Sequence, residues 1–283
     1  MKALTRDYAL LELLVVRGLT VLAILIPTAL IKLGVDGLKM NRPAPMLARG
    51  VLSFFAFSSY YVAITVIPLA DAAALFLSAP LFVTALSVFI LRERVGVHRW
   101  GAVLIGFSMV VFILNPGSDL FHPIAALPLL SALCYAVIPI LTRMIGTTEH
   151  VVTMTIYLKT SYLVLCFIAL GIVHFGGFYN NDNVFLAPIT MPWTWFARDD
   201  LLLIIIAGMI FTLALLLITQ AYRVAVVSAV SPFEYSMVFW AAVVGYIGFG
   251  DIPTLRLVFG ASIMVMCGIY ITRREARLGT ASD

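Results

Sequence analysis

Three ionisable residues lie deep inside apolar segments of this chain: Arg17, Lys159 and Glu234. An ionisable side chain at membrane depth is costly and requires a protein or aqueous partner, so each of them marks a candidate site. Arg17 and Lys159 suit an anionic substrate group or a carboxylate, whereas Glu234 suits proton coupling or a cationic substrate. We predict that the three side chains face one central cavity and bind substrate there.

Each of these residues also has a structural interpretation. Arg17 could form an ion pair with Glu12 or with Glu234, and Glu234 could make a helix-packing hydrogen bond beside Pro232. Aromatic side chains in the same segments could line the cavity and stack on a flat ligand, or they could serve as packing and interface anchors. The aromatic candidates for substrate binding are Tyr60, Tyr61, Tyr157, Tyr235 and Trp240.

Two prolines are candidates for gating. Pro80 and Pro232 each stand inside a long apolar segment, one in each half of the chain. A proline inside a helix removes a backbone hydrogen bond and frees a carbonyl that neighbouring groups or water must satisfy. We therefore predict that these two helices flex during a functional cycle.

The segments that carry these residues are long enough to cross a bilayer. Of 283 residues, 63% are hydrophobic and 11% are charged, whereas a soluble domain carries about 25% charged residues. A spanning helix needs about 20 apolar residues. Backbone groups in lipid must be satisfied within each segment, so the sequence predicts an all-α integral membrane protein. Nine segments qualify or come close, at about 8–33, 46–67, 70–91, 98–114, 123–143, 151–175, 201–220, 224–249 and 253–272.

The basic residues predict an orientation. The net charge of +4 comes from residues scattered between apolar segments, which argues against a nucleic-acid partner. Of the 18 Lys and Arg residues, a cytoplasmic C-terminus places twelve inside and four outside, with Arg17 and Lys159 within helices. Lys and Arg are enriched on the cytoplasmic side of membrane proteins. We predict a multi-pass protein of a bacterial inner membrane with the C-terminus and residues 92–99 in the cytoplasm, and the loop with Trp193 and Trp195 outside.

Enzymatic and metal-binding patterns do not occur in the sequence. It has no HExxH, phosphate-binding glycine loop, CxxC or nucleophile elbow, and Cys134, Cys166 and Cys267 fall inside apolar stretches without metal-ligand spacing. We predict no enzymatic activity, no cofactor and no metal site. Without an ATP-binding motif, any concentrative transport would depend on ion or substrate gradients.

The chain repeats one pattern in its two halves. Leu4-Thr5-Arg6 is followed by Asp7 and, ten residues later, by Arg17; Leu141-Thr142-Arg143 is followed by Glu149 and, ten residues later, by Lys159. Duplicated bundles with a site at their seam are common among secondary transporters. We predict two inverted halves, residues 1–117 with four helices and residues 118–283 with five. On this interpretation the first helix of a 5+5 inverted-repeat bundle is absent and nine transmembrane helices remain.

Two longer motifs resemble one known family. The run from Ala72-Ala73-Ala74 through Ser78-Ala79-Pro80 to Glu93 is similar to the first EamA repeat of the drug/metabolite transporter superfamily. Ser231-Pro232-Phe233-Glu234 through Asp251 is similar to the second, with Asp251 where the family usually has Glu. The resemblance implies a ten-helix carrier with a central cavity that opens alternately to each side. The Ala221-Tyr222-Arg223 and Pro232-Phe233-Glu234-Tyr235 motifs resemble a bacterial subgroup that includes S-adenosylmethionine and riboflavin carriers.

These observations lead to a functional expectation. The chain is expected to be a secondary transporter of a small polar or amphipathic metabolite, such as S-adenosylmethionine, riboflavin or an amino-acid-like compound, by alternating access. The alternative is a non-transporting or degenerate membrane scaffold that lacks the first helix. The expected partners are a small-molecule substrate and the lipid bilayer, and the sequence leaves a homodimer open.

Overall fold

Helices account for most of the chain that the structure describes. The structure is a computed structural model that describes residues 4–90, 97–114, 123–176, 194–225, 236–250 and 254–279, with the single positions 191, 230, 234 and 252. No strand occurs in these ranges, as the sequence predicts. Their helices are α1 (Leu10–Leu33), α2 (Pro43–Val66), α3 (Leu69–Phe76), α4 (Ser78–Ile90), α5 (Val97–Leu114), α6 (Ala126–Ile145), α7 (Val151–Gly176), α8 (Arg198–Val224), α9 (Ser236–Phe249) and α10 (Leu255–Gly279).

Six segments of the described chain are long and apolar enough to cross a membrane. They comprise α1, α2, the stretch Leu69–Leu86, the stretch Pro123–Ile145, α7 and α8. The 24 residues of α1 measure about 36 Å at 1.5 Å per residue, against about 30 Å for the hydrocarbon core. Two shorter apolar stretches, Trp100–Ile113 and Leu255–Tyr270, lie in α5 and α10. The protein is therefore a multi-pass helical membrane protein.

Glycines end two of the helices. The amide of Gly34 donates to the carbonyl of Leu30 at 3.2 Å, and the φ of Gly34 is 66°. The amide of Gly250 donates to the carbonyl of Tyr246 at 3.1 Å, and the φ of Gly250 is 71°. A side chain with a Cβ is disfavoured at positive φ, so glycine allows the chain to leave α1 and α9 sharply.

The apolar run at 70–91 forms two helices rather than one. The break falls at Leu77, whose amide bonds to the carbonyls of Ala73 and Ala74. Pro80 consequently stands in the first turn of α4, where the amide hydrogen that proline lacks would have no helical partner. Among the described helices, α1 and α6 each contain an internal proline, Pro27 and Pro139.

The chain forms two compact units, and each takes helices from both halves of the sequence. The first unit comprises Met1–Thr65 and Leu141–Val224, and thus α1, α2, α7 and α8. The second comprises Val66–Ile140 and Ala225–Asp283. Its apolar core joins α3, α4, α5 and α10, through side chains that include Leu75, Leu81, Val110, Ile113 and Met264.

Helix α8 turns its most apolar side outward. The exposed side carries large aliphatic residues, whereas the buried side includes Gly208, Thr212, Thr219 and Tyr222. The hydroxyl of Thr212 donates to the carbonyl of Gly208 at 2.7 Å, so this polar group has its hydrogen-bond acceptor within the helix. This arrangement is suited to a helix that faces lipid on one side and packed polar groups on the other. The exposed residues include Leu202, Ile206, Met209, Leu213 and Leu217.

Candidate functional site

Two of the predicted site residues meet in the interior of the first unit. Arg17 is the eighth residue of α1 and Lys159 is the ninth of α7. Arg17 is 3% exposed and Lys159 is fully buried. Helices α2, α7 and α8 supply the rings around them. We call Arg17, Lys159, Phe57, Tyr61, Tyr162 and Phe211 the cation–aromatic cluster.

Aromatic faces surround both charges of this cluster. The guanidinium carbon of Arg17 lies 4.4 Å from the ring centre of Phe211 and 4.9 Å from that of Tyr61. The ammonium nitrogen of Lys159 lies 4.2 Å from the ring centre of Tyr162 and 4.7 Å from that of Phe211. Phe57 faces both cations, at 5.9 Å from Arg17 and 5.3 Å from Lys159. All these distances are within the range of a cation–π interaction.

Most of the side-chain hydrogen-bond donors of Arg17 and Lys159 have no acceptor among the described residues. Nη1 of Arg17 donates to the hydroxyl of Tyr61. Within the described residues, Nε and Nη2 of Arg17 and Nζ of Lys159 make no hydrogen bond. A buried donor without a partner costs about 1–3 kcal/mol, and more when it is charged. The cluster therefore favours a ligand that accepts hydrogen bonds.

The buried acids of the same unit are engaged elsewhere. Glu12, which could have paired with Arg17, accepts the amide of Thr194 at 3.0 Å through Oε1, and its Oε2 makes no hydrogen bond among the described residues. Glu149 accepts the amides of Asn41 and Arg42 at 2.8 and 2.9 Å through Oε1. Neither carboxylate compensates the cluster, so the ion pair of Arg17 with Glu12 that the sequence left open does not form.

Glu149 lies at a junction of three segments. Its carboxylate holds the loop between α1 and α2, and its own carbonyl accepts Nε of Arg223, at the end of α8, at 3.1 Å. The same Nε donates to the carbonyl of Gly146 at 2.8 Å. The next residue, His150, accepts the amide of Val152 through Nδ1 at 3.3 Å and so caps α7. Burial, followed by the charge of Arg223, lowers the pKa of His150.

A third buried cation, Arg49, lies in α2. It is 1% exposed, and its Nη1 donates to the carbonyl of Met154 in α7 at 3.2 Å. An arginine seven residues into a helix that begins at Pro43 is a detectable signal of this burial. It binds two helices of the first unit together.

Of the other predicted aromatic residues, the structure describes Tyr60, Tyr157 and Trp240. Tyr60 contacts Tyr61 edge to face, with 6.2 Å between ring centres. The hydroxyl of Tyr157 donates to the carbonyl of Leu38 and anchors the end of the loop after α1. Trp240 is 61% exposed on α9. Tyr235 and Pro232 lie outside the described residues.

Glu234 belongs to the second unit. Its Oε1 accepts the hydroxyl of Tyr135, on α6, at 2.7 Å, and the ring of Tyr135 packs 5.2 Å from that of Phe76. No group of three or more His, Cys, Asp or Glu residues capable of holding a metal ion occurs among the described residues. The arrangement is one of buried charges and rings, which suits binding rather than bond-breaking chemistry.

Comparison with known proteins agrees with a role in binding rather than in bond-breaking chemistry. The family model of the EamA-like transporter family matches residues 1–115. The chain carries an EamA domain. Three members of the cation–aromatic cluster, Arg17, Phe57 and Tyr61, lie within that EamA domain, and Lys159, Tyr162 and Phe211 follow it.

Relatives of this chain are named as transporters. It is 26% identical over 245 residues to an S-adenosylmethionine uptake transporter of Rickettsia prowazekii, a match over 86% of this chain and 76% of the relative. It is 28% identical over 246 residues to a riboflavin transporter of Rhizobium johnstonii, over 87% of this chain and 76% of the relative. One crystal structure has the same fold, with a TM-score of 0.68 and 16% identity over 98% of this chain and 91% of that one. Family and relatives thus point to a transporter of small metabolites rather than to an enzyme.

Proposed function

We propose that this EamA protein is a secondary transporter that carries a small polar or amphipathic metabolite across a bacterial inner membrane by alternating access. The cation–aromatic cluster carries the proposal. It places two buried cations with unused donors, surrounded by rings, inside membrane-crossing helices, at the eighth of the 24 residues of α1 and the ninth of the 26 residues of α7. Such groups are expensive at membrane depth and are typical of substrate pathways.

The two cations support an inverted-repeat architecture, with halves at residues 1–117 and 118–283. Arg17 and Lys159 occupy nearly the same place in α1 and α7, each ten residues after an acid. A pseudo-two-fold axis in the membrane plane relates matching residues of inverted repeats and places the substrate site near the midplane. Matching residues that lie near such an axis also lie near each other, and Arg17 and Lys159 face the same two rings, Phe57 and Phe211.

Glu234 and the two prolines complete the proposed mechanism. Glu234 serves as the acid that responds to substrate or to protons, with Tyr60, Tyr157, Tyr235 and Trp240 as further substrate-contacting residues. Pro80 and Pro232 remain the proposed gating positions. For the helix pair α3–α4, the discontinuity at Leu77 supports this role, because it is a place where the two helices can change their angle.

Transport by the purified protein tests the proposal directly. Proteoliposomes should accumulate or exchange one compound from a labelled panel of S-adenosylmethionine, riboflavin and amino acids. Glu234→Gln should abolish transport or its pH dependence, and Arg17→Ala should abolish transport, with both variants still inserted in the membrane. Arg198→Ala, at the exposed start of α8, is the control and should transport normally. Absence of flux for the whole panel would favour the non-transporting scaffold, and normal flux by both site variants would refute the site.

A further inference from the structure

The cation–aromatic cluster carries two positive charges and no negative one among the described residues. Of the acids in the first unit, Glu12 is held by the amide of Thr194, Glu149 by the amides of Asn41 and Arg42, and Asp200 accepts the hydroxyl of Tyr8 at 2.8 Å. Two like charges in a water-excluded interior repel each other strongly. A bound anion would relieve this repulsion, whereas a cationic group would increase it.

The unused donors specify the kind of anion. Nε and Nη2 of Arg17 lie on one edge of the guanidinium plane, and neither is hydrogen-bonded among the described residues. That edge matches two oxygens of a carboxylate or a phosphate in a bidentate arrangement. Nζ of Lys159, also without a hydrogen-bond partner there, can donate to an oxyanion from a second direction.

The rings specify what lies beside the anion. Phe57 and Phe211 both face the two cations, and their own rings meet edge to face with 5.8 Å between centres and an interplanar angle of 80°. Tyr162 adds a third ring, edge to face with Phe57 at 6.3 Å. Rings at steep angles to one another offer faces and edges on which a planar group can stack.

We propose that the substrate carries an oxyanion, a carboxylate or a phosphate, next to a planar ring, with Arg17 and Lys159 binding the oxyanion and Phe57 and Phe211 contacting the ring. This rests on the transport function proposed above and names the substrate class of the same site. In the structure the aromatic faces hold the two cations. The ligand replaces these contacts with charge-assisted hydrogen bonds, which are stronger.

Matched pairs of probes test the anion requirement. Each pair shares one ring system and differs in the oxyanion: flavin mononucleotide and riboflavin, adenosine monophosphate and adenosine, benzoate and benzyl alcohol. Binding to the purified full-length protein is measured by thermal stabilisation and, for the flavins, by fluorescence quenching. In at least one pair the anionic member should bind about tenfold or more tightly than the neutral one, as one or two charge-assisted hydrogen bonds allow.

Variants connect that preference to the cluster. Arg17→Gln and Lys159→Gln should each remove most of the preference for the anionic member and leave binding of the neutral member little changed. Phe211→Leu should weaken both members of the pair. Arg17→Lys tests whether the preference for the anionic member needs the planar guanidinium group. Arg198→Gln controls for the change in net charge. If a glutamine variant does not fold, the wild-type preference still decides the question.

The results separate this inference from the transport function. Equal binding within every pair, a preference for the neutral member, no stabilisation by any anionic probe at millimolar concentration, or a preference that survives both glutamine variants would each overturn it. Proteoliposomes that transport only neutral or cationic compounds would leave the transport function standing and refute the oxyanion class. Anion binding that depends on Arg17 and Lys159 without any flux would refute transport and retain the binding site.

Discussion

The charged groups of Arg17 and Lys159 lie against aromatic faces, and contacts of this kind can be exchanged for contacts with a ligand at low cost. A cation–π contact contributes about 0.5–2 kcal/mol, whereas breaking a buried ion pair costs about 3–5 kcal/mol. A cation held by rings can therefore turn to a ligand at a lower cost than one held by a carboxylate. A carrier must bind and release its substrate in every cycle, and residues held in this way allow both.

His150 provides a prediction about pH. Its lowered pKa means that the folded protein favours the neutral ring, whose Nδ1 accepts the amide of Val152. The resulting stability is fully present above the unfolded pKa of about 6.5 and is lost as the pH falls below it. His150→Asn keeps an acceptor at the helix cap but does not titrate. The unfolding temperature of the purified protein should therefore fall less in this variant than in the wild type between about pH 7.5 and about pH 5.5. Identical losses in the two proteins would contradict this role.

At the scale of single residues, helical spacing accounts for part of the cluster. Phe57 precedes Tyr61 by four positions, and Tyr162 follows Lys159 by three, so both share a helix face with a residue that the sequence singles out. Phe211 lies in another segment, and neither its type nor its spacing connects it to Arg17. Its place depends on how α8 packs against α1 and α7, which a single sequence does not reveal.

Close helix contacts hold the elements of the first unit together, and one of them lies between Gly50 of α2 and α7. A Cβ on Gly50 would lie 2.3 Å from Cβ of Ser161 and 2.9 Å from the carbonyl oxygen of Leu158. Both neighbours are close to or part of the backbone of α7, so they cannot move aside as a flexible side chain would. Small residues at such crossings let membrane helices approach closely.

Gly50→Ala should therefore destabilise the protein by about 1–3 kcal/mol, the usual cost of overpacking. Gly171→Ala is the matched control, because a Cβ on Gly171 meets nothing within 4 Å. In a helix it should leave stability unchanged or raise it by up to about 1 kcal/mol. Unfolding in a mixed-detergent titration measures both variants. If Gly50→Ala is as stable as Gly171→Ala, then α2 and α7 do not pack in this way.

At the scale of elements, hydropathy predicts the helices better than their breaks. The apolar segments at 98–114, 151–175 and 201–220 lie within single described helices, and those at 8–33, 46–67 and 123–143 coincide with described helices over most of their length, because lipid leaves the backbone no other means of satisfying its polar groups. The break at Leu77 was not predicted, since nothing in its residue type marks it, and Pro80 pointed to an interruption three residues later. Pro27 and Pro139 show the converse, because the helices continue through them.

At the scale of the whole molecule, the distribution of basic residues predicts the orientation in the membrane. Thr147, between α6 and α7, and Thr194, before α8, are both exposed, and the charge count places the first inside and the second outside. In a background with the native cysteines replaced by alanine, Thr194→Cys should react with an impermeant thiol reagent in intact cells. Thr147→Cys should react only after the membrane is permeabilised. The opposite labelling pattern would reverse the topology.

The composition of the two units could not be predicted from the repeat pattern. The echo between the halves suggests a division near residue 117, whereas the first unit combines residues 1–65 with residues 141–224 and so draws on both halves. A repeat in the sequence indicates how the chain is organised, but it does not indicate which helices pack together. That information lies in contacts such as Gly50 with Ser161 and Phe211 with Arg17, which join positions far apart in the sequence.

The outward-facing aliphatic side of α8 has a consequence for how sequences of this kind are interpreted. In a water-soluble protein, the apolar stripe of a helix identifies its interior face. On α8 the same rule would select the side with Leu202, Ile206 and Leu213, which is exposed, and would turn Thr212 and Phe211 toward the surroundings. The side that carries threonine, glycine and tyrosine is the interior one. For such a helix, the least apolar face is the one that packs inside its unit. A residue like Phe211 is therefore best sought next to the polar and small residues of its own helix.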